Sequence, residues 1–430
     1  MHSLYNILAN ASGEEKITAG NFITIPVDLA FVNDLYLQVI LSFKEIGDNH
    51  VWATDKVAFI MDHYAPSPTI QAASNQKEMR DFVFEQGIKH LFDINKGVCH
   101  QVVPESGLLK PGMIIVGTDS HTTTHGAYGC FSTGVGATDM AGILYTGEMW
   151  LKVPEIIRII INGLPQENVM AKDVMLYIIS QMGTDVALYR AIDFYGDSIN
   201  WFSLDERLVL CNMAVEMGAK ATYIQPDEEV FDYFHQLGYE INELQKNNIL
   251  ERLSYSKVGL KDFQFVKEFE ISSLVPQVAL PHQVDKVVPV DQIEGKHIEQ
   301  VLIGTCTGGR INDIRVAAKI LQGRKIASGT RLLVVPASDL ILKECIKLGY
   351  IQALIESGAT IVTPSCGPCL GAHEGILAPG ESCISTSSRN FPGRMGSTEA
   401  NIYLSSPATA AASAIYGEVT DPRKIDYQQQ

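Results

Sequence analysis

Three cysteines have the types and spacing to do chemistry: Cys306 in Gly-Thr-Cys-Thr-Gly-Gly, and Cys366 and Cys369 in Ser-Cys-Gly-Pro-Cys. A structural zinc or an electron-transfer iron–sulfur centre usually takes four protein ligands. Three ligands leave one metal corner open to substrate or water, which makes the metal a Lewis acid. The pair Cys366-Gly-Pro-Cys369 also spells a redox dithiol, where a helix N-terminus lowers a thiol pKa. Against the dithiol stand Ser365 in place of an aromatic residue, the length of the chain, and a third cysteine in an equally glycine-rich turn about 60 residues upstream. Zinc lacks a fourth ligand at matching spacing. On spacing alone a cluster or open metal site, a redox dithiol and an absence of special chemistry all stay open. Gly304, Gly308, Gly309, Gly367 and Gly371 suggest backbone that approaches a bulky inorganic core and donates N–H groups to it. Cys99, Cys130, Cys211, Cys345 and Cys383 lack ligand-like spacing and read as small core residues.

Two further groups accompany the cysteines. Asp62-His63 and Asp119-Ser120-His121 each join a carboxylate to an imidazole, with His100 and Glu216 as further members. Proton transfer needs a histidine held in one tautomer and tuned by such a carboxylate. In Ser387-Ser388-Arg389-Asn390-Phe391-Pro392-Gly393-Arg394, two arginines across a turn can fork onto carboxylates. His2, His50, His90, His235 and His297 read as ordinary surface or core residues.

The positioning elements follow from the apolar pattern. Short β-branched runs (Lys56–Met61, Met113–Val116, Glu155–Asn162, Gln300–Ile303, Arg331–Val335, Ala359–Val362) alternate with amphipathic stretches such as Ile314–Leu321 and Leu340–Leu348. This is an α/β pattern with parallel sheets. The reactive residues follow these runs: Asp62-His63, Asp119-Ser120-His121, Cys306, Cys366, and Arg389 with Arg394 after Glu381–Ser387. Ligands of open α/β sheets bind beyond the carboxyl ends of the strands, so one shared site is expected. Composition shifts at Leu151–Pro165 and at the proline-marked Leu274–Val290, read as a linker, divide the chain into domains 1–150, 151–283 and 284–430. The charge-rich Glu243–Lys257 falls in the middle domain.

With 430 residues, 46% hydrophobic and 19% charged, the chain is globular and too long for a single core. A formal charge of −16 argues against nucleic acid or an anionic membrane as partner, while leaving room for a small anion at a local arginine pair. No apolar run reaches membrane-spanning length and no secretory pattern opens the chain, so the expectation is a cytoplasmic protein whose cysteines are buried, metal-bound or catalytic.

Together these motifs resemble the aconitase superfamily, most closely the large-subunit branch of the two-subunit isopropylmalate dehydratases and homoaconitases. The resemblance spans nearly the whole chain through Asp62-His63, His100-Gln101, Gly-Thr-Asp119-Ser-His-Thr, Cys211-Asn-Met-Ala-Val-Glu216, Thr-Cys306-Thr-Gly-Gly-Arg, Ser-Cys366-Gly-Pro-Cys369 and Ser-Arg389-Asn-Phe-Pro-Gly-Arg394. It implies three α/β domains of the aconitase type around a central cluster-containing cleft. It also implies a hydro-lyase that dehydrates and rehydrates a 2-hydroxy di- or tricarboxylic acid, as in leucine biosynthesis. Cys306, Cys366 and Cys369 would hold a [4Fe-4S] cluster with one iron free of protein ligands, lined by Asn212 and Asn390. Asp62-His63 would protonate the departing hydroxyl. His100 with Asp119, and His121 with Glu216, would be the other acid–base pairs. Ser120, Arg389 and Arg394 would bind substrate carboxylates.

In the family the base that takes the carbon-bound proton is a serine on a swivelling domain. No stretch of this chain is left for that domain, so a small subunit carrying it is expected as partner. Tyr64, Ser388 and the stretch Phe31–Tyr36 depart from the family pattern and bear on substrate choice. Isopropylmalate is the first expectation; homoaconitate, citramalate and dimethylmalate, or a related acid of specialised metabolism, are the alternatives. From other classes come a thiol–disulfide oxidoreductase using Cys366 and Cys369 and an iron-responsive RNA-binding protein, the latter disfavoured by the acidic charge.

Overall fold

A computed structural model describes residues 2–47, 50–253 and 259–425. Residues 254–257 of the charge-rich segment and the polar tail at 426–430 lie outside the described residues. Besides a two-stranded antiparallel pair, Phe22–Pro26 with Glu148–Lys152, three larger sheets follow one another along the chain. The first is five-stranded and wholly parallel, in the order His90–Phe92, Val57–Ile60, Leu29–Asn33, Ile114–Gly117, Phe131–Gly134. The second is four-stranded and parallel: Ala221–Tyr223, Ala191–Tyr195, Ile156–Asn162, Val266–Glu270. The third has seven strands, in the order Val287–Pro289, Gln277–Ala279, Asn401–Leu404, Ser382–Ser385, Gln300–Gly304, Arg331–Val335, Thr360–Ile361. It is parallel except where Gln277–Ala279 meets its two neighbours.

Continuous apolar runs make these strands because both sheet faces are covered. Val57–Ile60, Leu29–Asn33, Ile114–Gly117 and Gln300–Gly304 are buried at every position. Every apolar run singled out in the sequence forms a strand within one or two residues of its expected ends. The amphipathic stretches form helices Ile311–Leu321 and Asp339–Lys347. The stretch read as a linker, Leu274–Val290, is instead an edge hairpin of the third sheet, Gln277–Ala279 against Val287–Pro289. Its prolines mark strand ends and turns at a sheet edge, where a missing N–H is tolerated.

Strand register sets the site. Asn33 lies opposite Ile60 and Ile60 opposite Phe92, while Gly117 lies opposite Phe31 and Gly134, so the carboxyl ends of the first sheet finish within two residues of one another. The same core joins the sheets: Phe31, Ile157, Phe194 and Leu302 belong to one buried cluster. No helix among the described residues is long and apolar enough to cross a membrane.

Candidate active site

The acid–base residues come from turns at the ends of the first sheet. Asp34 follows strand Leu29–Asn33 and is buried. Its carboxylate accepts the backbone N–H groups of Asp62, His63 and Tyr64 at 3.3, 2.8 and 2.9 Å, and Gln76 Nε2 at 2.9 Å. This fixes the turn after Val57–Ile60. Asp62 then uses one oxygen on His63 Nδ1 (2.7 Å) and the other to cap helix Cys99–Glu105 at the Cys99 N–H (2.8 Å). That cap aims His100 at Asp119, with His100 Nε2 at 3.0 Å from Asp119 Oδ1. Asp119 in turn caps the 3₁₀ helix Ser120–Tyr128 through the His121 N–H (2.8 Å), and its other oxygen lies 3.4 Å from His63 Nε2. One carboxylate therefore touches three histidine residues.

A second relay lies beside it. His121 Nε2 sits 3.0 Å from Glu216 Oε1 and 3.2 Å from Ser388 Oγ. Arg389 Nε donates to both Glu216 oxygens at 2.9 and 3.1 Å, and a terminal Arg389 nitrogen is 3.3 Å from Ser120 Oγ. The Arg389 side chain is 25% exposed, so its outer nitrogens are available to a carboxylate.

Charge distribution follows from these contacts. Burial disfavours the His63 cation, but the Asp62 and Asp119 carboxylates outweigh it and hold its pKa well above the ordinary histidine value. Burial likewise opposes Asp119 ionisation, and His100, His121 and His63 overcome it, leaving the carboxyl well below its usual range. Glu216 is lowered in the same way, by His121 and Arg389 against burial. His121 is raised, as its bonds to Asp119 and Glu216 outweigh burial. The site thus stores a proton on imidazole beside ionised carboxylates.

The three cysteines converge on the same cavity as Asp62, His63, His100, Asp119, His121 and Arg394. Cys306 leaves strand Gln300–Gly304 on a 3₁₀ turn, and Cys366 and Cys369 follow Thr360–Ile361. The Cys366 N–H donates to Asp62 O at 2.8 Å, and His373 Nε2 bonds His63 O at 2.8 Å, which locks the cysteine loop to the acid loop. All three are free thiols, only 9%, 8% and 2% exposed. An exchanging dithiol needs an accessible sulfur, so the burial of Cys366 and Cys369 speaks against that reading. The bond between them, then Arg394, favours the thiolate on Cys369, whose pKa is held well below that of a free thiol against the cost of burial. Arg394 Nη2 is 3.6 Å from Cys369 Sγ, and its buried Nε has no hydrogen-bond partner among the described residues. Buried cationic donors around converging thiols fit an anionic metal–thiolate group.

Three more residues to which the sequence assigned no role complete the surroundings. Arg310, fully buried, donates to Cys306 O at 2.6 Å and Gln101 Oε1 at 3.0 Å. Lys172, also buried, bonds the loops beside Cys306 and Arg389. His125 lies under His100 with ring centroids 5.8 Å apart, and burial lowers its pKa strongly. A lysine in the apolar run Val169–Ile179 is the one local signal available for Lys172; Arg310 has its place at the end of the Cys306 motif, and His125 has none. Cys99, read as core, also lines the cavity.

Two expectations differ in the structure. The glycines around the cysteines make room for protein. A Cβ on Gly308 would stand 2.1 Å from Thr386 Oγ1, and one on Gly304 2.6 Å from Val335 Cβ. Their N–H groups are already bonded, as with Gly304 to Thr386 Oγ1, Gly309 to Thr305 O and Gly367 to Ser365 Oγ. Of the two asparagines, Asn212 is buried and close to the Cys306 thiol, with its amide nitrogen on Thr124 Oγ1 at 2.8 Å. Asn390 bonds the carbonyls of Leu280 (2.8 Å) and Ile402 (3.3 Å), bracing the edge hairpin instead of turning its amide nitrogen to the cysteines. Of the departures from the family pattern, Ser388 joins the His121 relay, and the backbone around Tyr64 belongs to the Asp34 network.

Carboxylate-held histidines, an arginine beside them and three converging thiols at the carboxyl ends of parallel strands make a site suited to acid–base chemistry beside thiols that could hold a metal. The model of the Aconitase family (aconitate hydratase) matches residues 7–417, and the chain belongs to that family. It is accordingly a hydro-lyase, and members of the family generally use an iron–sulfur cluster. Among relatives, the "3-isopropylmalate dehydratase large subunit 1" of Methanopyrus kandleri is 46% identical over 97% of each chain. The "Probable methanogen homoaconitase large subunit" of Methanosarcina mazei is 47% identical over 93% of this chain and 99% of its own. The "3-isopropylmalate dehydratase large subunit 1" of Archaeoglobus fulgidus is 43% identical over 97% and 98%. Their designation as large subunits implies that these relatives work with a small subunit. The crystal structure of Thermococcus kodakaraensis aconitase X (holo-form) shares the fold, with a TM-score of 0.50 and 13% identity over 90% of this chain and 87% of that one.

Proposed function

We propose that this chain is the large subunit of a dehydratase that isomerises a 2-hydroxy di- or tricarboxylic acid in the cytoplasm, with 3-isopropylmalate as its substrate and leucine biosynthesis as its setting. The three α/β units of the chain each contribute to the site. The observation that carries the reading is the convergence of Cys306, Cys366 and Cys369 with Asp62-His63 and Asp119 on one cavity. Cys306, Cys366 and Cys369 would hold a [4Fe-4S] cluster, with Asn212 beside Cys306, and the cluster would supply a Lewis acid for the substrate hydroxyl and a carboxylate.

The chain's own residues do the rest. His63, kept protonated by Asp62 and Asp119, delivers a proton to the departing hydroxyl, since hydroxide leaves poorly without one. His100 with Asp119 and His121 with Glu216 fix hydrogen-bond donors toward the carboxylate on which charge develops. Arg389 and Arg394, with Ser120, bind the substrate carboxylates. The carbon-bound proton goes to a serine on the swivelling domain of the small subunit. Re-addition of water with opposite regiochemistry gives the isomer.

A relative named for homoaconitase at 47% identity keeps homoaconitate as the second substrate. The test is co-expression with the small subunit, anaerobic loading with iron and sulfide, and a screen of unsaturated diacids by absorbance. About four irons per chain are expected, lost in Cys306→Ala, with turnover of the isopropyl acid above the homologous tricarboxylate. Absence of iron uptake, or a reversible Cys366–Cys369 disulfide in its place, refutes the proposal.

A further inference from the structure

We propose that Lys172 is a positioning residue of the cysteine centre. Its buried ammonium ties the Cys306 loop to the loop that carries Ser388 and Arg389, and sets a fixed positive charge behind an anionic metal–thiolate group. The inference rests on the proposed role of the cysteines and adds to it the residue that holds their loop.

Lys172 is the second residue of helix Ala171–Met182 and is 1% exposed. Its Nζ reaches Thr307 Oγ1 at 3.3 Å, Ser387 O at 2.6 Å and, more closely still, Thr386 O. Thr307 adjoins Cys306, and Thr386-Ser387 lead directly to Ser388 and Arg389. Thr307 Oγ1 also donates to Thr386 O at 2.7 Å, closing the ring. A helix following strand Ile156–Asn162 of the second sheet thus reaches two loops of the third. The cysteine ligand and the substrate-binding arginine take their spacing from one ammonium.

The charge needs an explanation of its own. A cation in the first turn of a helix faces the positive end of the helix dipole, and burial disfavours it further. Among the described residues no carboxylate lies within 4.0 Å of Nζ. The two nearest in effect are otherwise engaged: Asp173 accepts from Met170 N and Gln277 N, and Asp313 from Arg310 N. Burial outweighs the favourable electrostatic neighbours, which are the Cys306 sulfur, then Asp313, then the Cys369 sulfur, and lowers the Lys172 pKa to about 8. A protonated Cys306 and a single Cys369 thiolate compensate a buried ammonium less than three thiolates holding a metal group. The neutral alternative, a methionine or leucine completing the apolar face of this helix, would pack without that cost.

The test compares wild type, Lys172→Arg and Lys172→Met, each as the full chain with its small subunit, isolated without oxygen and loaded with iron and sulfide. Iron per chain, the rate of cluster loss to a chelator and the cluster's midpoint potential are measured, with thermal unfolding of the unloaded chain as the folding control. Lys172→Met is expected to lose its cluster about tenfold faster and to shift the potential negative, because a stabilising positive charge is gone. Lys172→Arg is expected to keep the wild-type potential. Equal potentials and equal loss rates in wild type and Lys172→Met overturn the inference alone. A wild type that takes up no iron overturns the reading of the cysteines, and the inference with it. If Lys172→Met does not fold, Lys172→Gln is read in the same way. Failure of all three variants to fold also overturns the inference, since the demand is then for the shape of lysine and not its charge.

Discussion

Replacing Asp119 by asparagine isolates the proton-storing function of the site. The amide is the same size, so its oxygen can keep the Asp119 Oδ1 position and accept from the His121 N–H and His100. The amide nitrogen then takes the Oδ2 position, 3.4 Å from His63 Nε2. A donor there favours neutral His63 with a lone pair on Nε2, which is the form that cannot protonate a leaving hydroxyl. The lost attraction is set by that distance: at an effective dielectric of about 20, unit charges 3.4 Å apart interact by about 5 kcal/mol. Transmitted fully to the transition state, this is a factor of roughly 10³ to 10⁴, the upper range for one general acid. Asp119→Asn should therefore lower kcat by about 10³ with KM changed less than about fivefold and iron content unchanged, measured by the absorbance of the unsaturated acid. Full iron with kcat within tenfold of wild type would refute the assignment of the stored proton. Loss of iron would show that Asp119 maintains the cysteine loop instead.

Three further outcomes follow from the geometry. Arg389→Lys leaves one ammonium where Nε holds Glu216 and the outer nitrogens serve the substrate; one lost charge-assisted bond raises KM about 10- to 100-fold with iron intact, and an unchanged KM counts against the fork. Cys99→Ala keeps the backbone N–H that Asp62 caps, and the Cys99 thiol is held protonated by burial, then by Asp62 and Asp119, so iron content should not change; a drop in iron would make Cys99 a ligand. Burial raises Glu105 to about 7 from the ordinary 4.5, so the fold binds a proton more tightly than the unfolded chain and stability declines as pH rises across that interval. Glu105→Gln, whose amide oxygen still accepts from Gln101 and Ser338, removes the decline and gains about 3 kcal/mol at most at pH 8; urea midpoints that vary with pH as in wild type would contradict it.

How much of this was legible in the sequence depends on the range of the interaction. Asp62-His63, Asp119-Ser120-His121 and the cysteines were readable because each follows an apolar run that can only be a buried strand, and parallel strands bring such ends together. The strands themselves were legible for the same reason. Asp34 was not, since its function is to accept N–H groups of a turn about 30 residues away, and the stretch Phe31–Tyr36 drew notice only as a departure from pattern. Arg310 was quoted as part of a motif without a role; its role depends on Gln101, 209 residues distant. The glycines misled for a physical reason. Spacing reports that a side chain is excluded but not what excludes it, and at Gly304 and Gly308 the excluding atoms are those of Val335 and Thr386. The prolines at 276, 281 and 289 signalled interruption equally well for a linker and for an edge hairpin.

The bond from His373 to His63 O joins residues 310 apart in the chain, and with Cys366 N–H on Asp62 O it sets a timetable for the protein's birth. At translation rates of about 5–20 residues per second, roughly 15–60 s separate the emergence of the acid loop from that of its cysteine counterpart. For that interval the acid loop has neither the Cys366 N–H on Asp62 O nor the His373 bond that hold it in the finished fold. The converging cysteines can therefore be assembled only on a nearly complete chain, and a ribosome that stalls before the third sheet releases a product that lacks Cys306, Cys366 and Cys369.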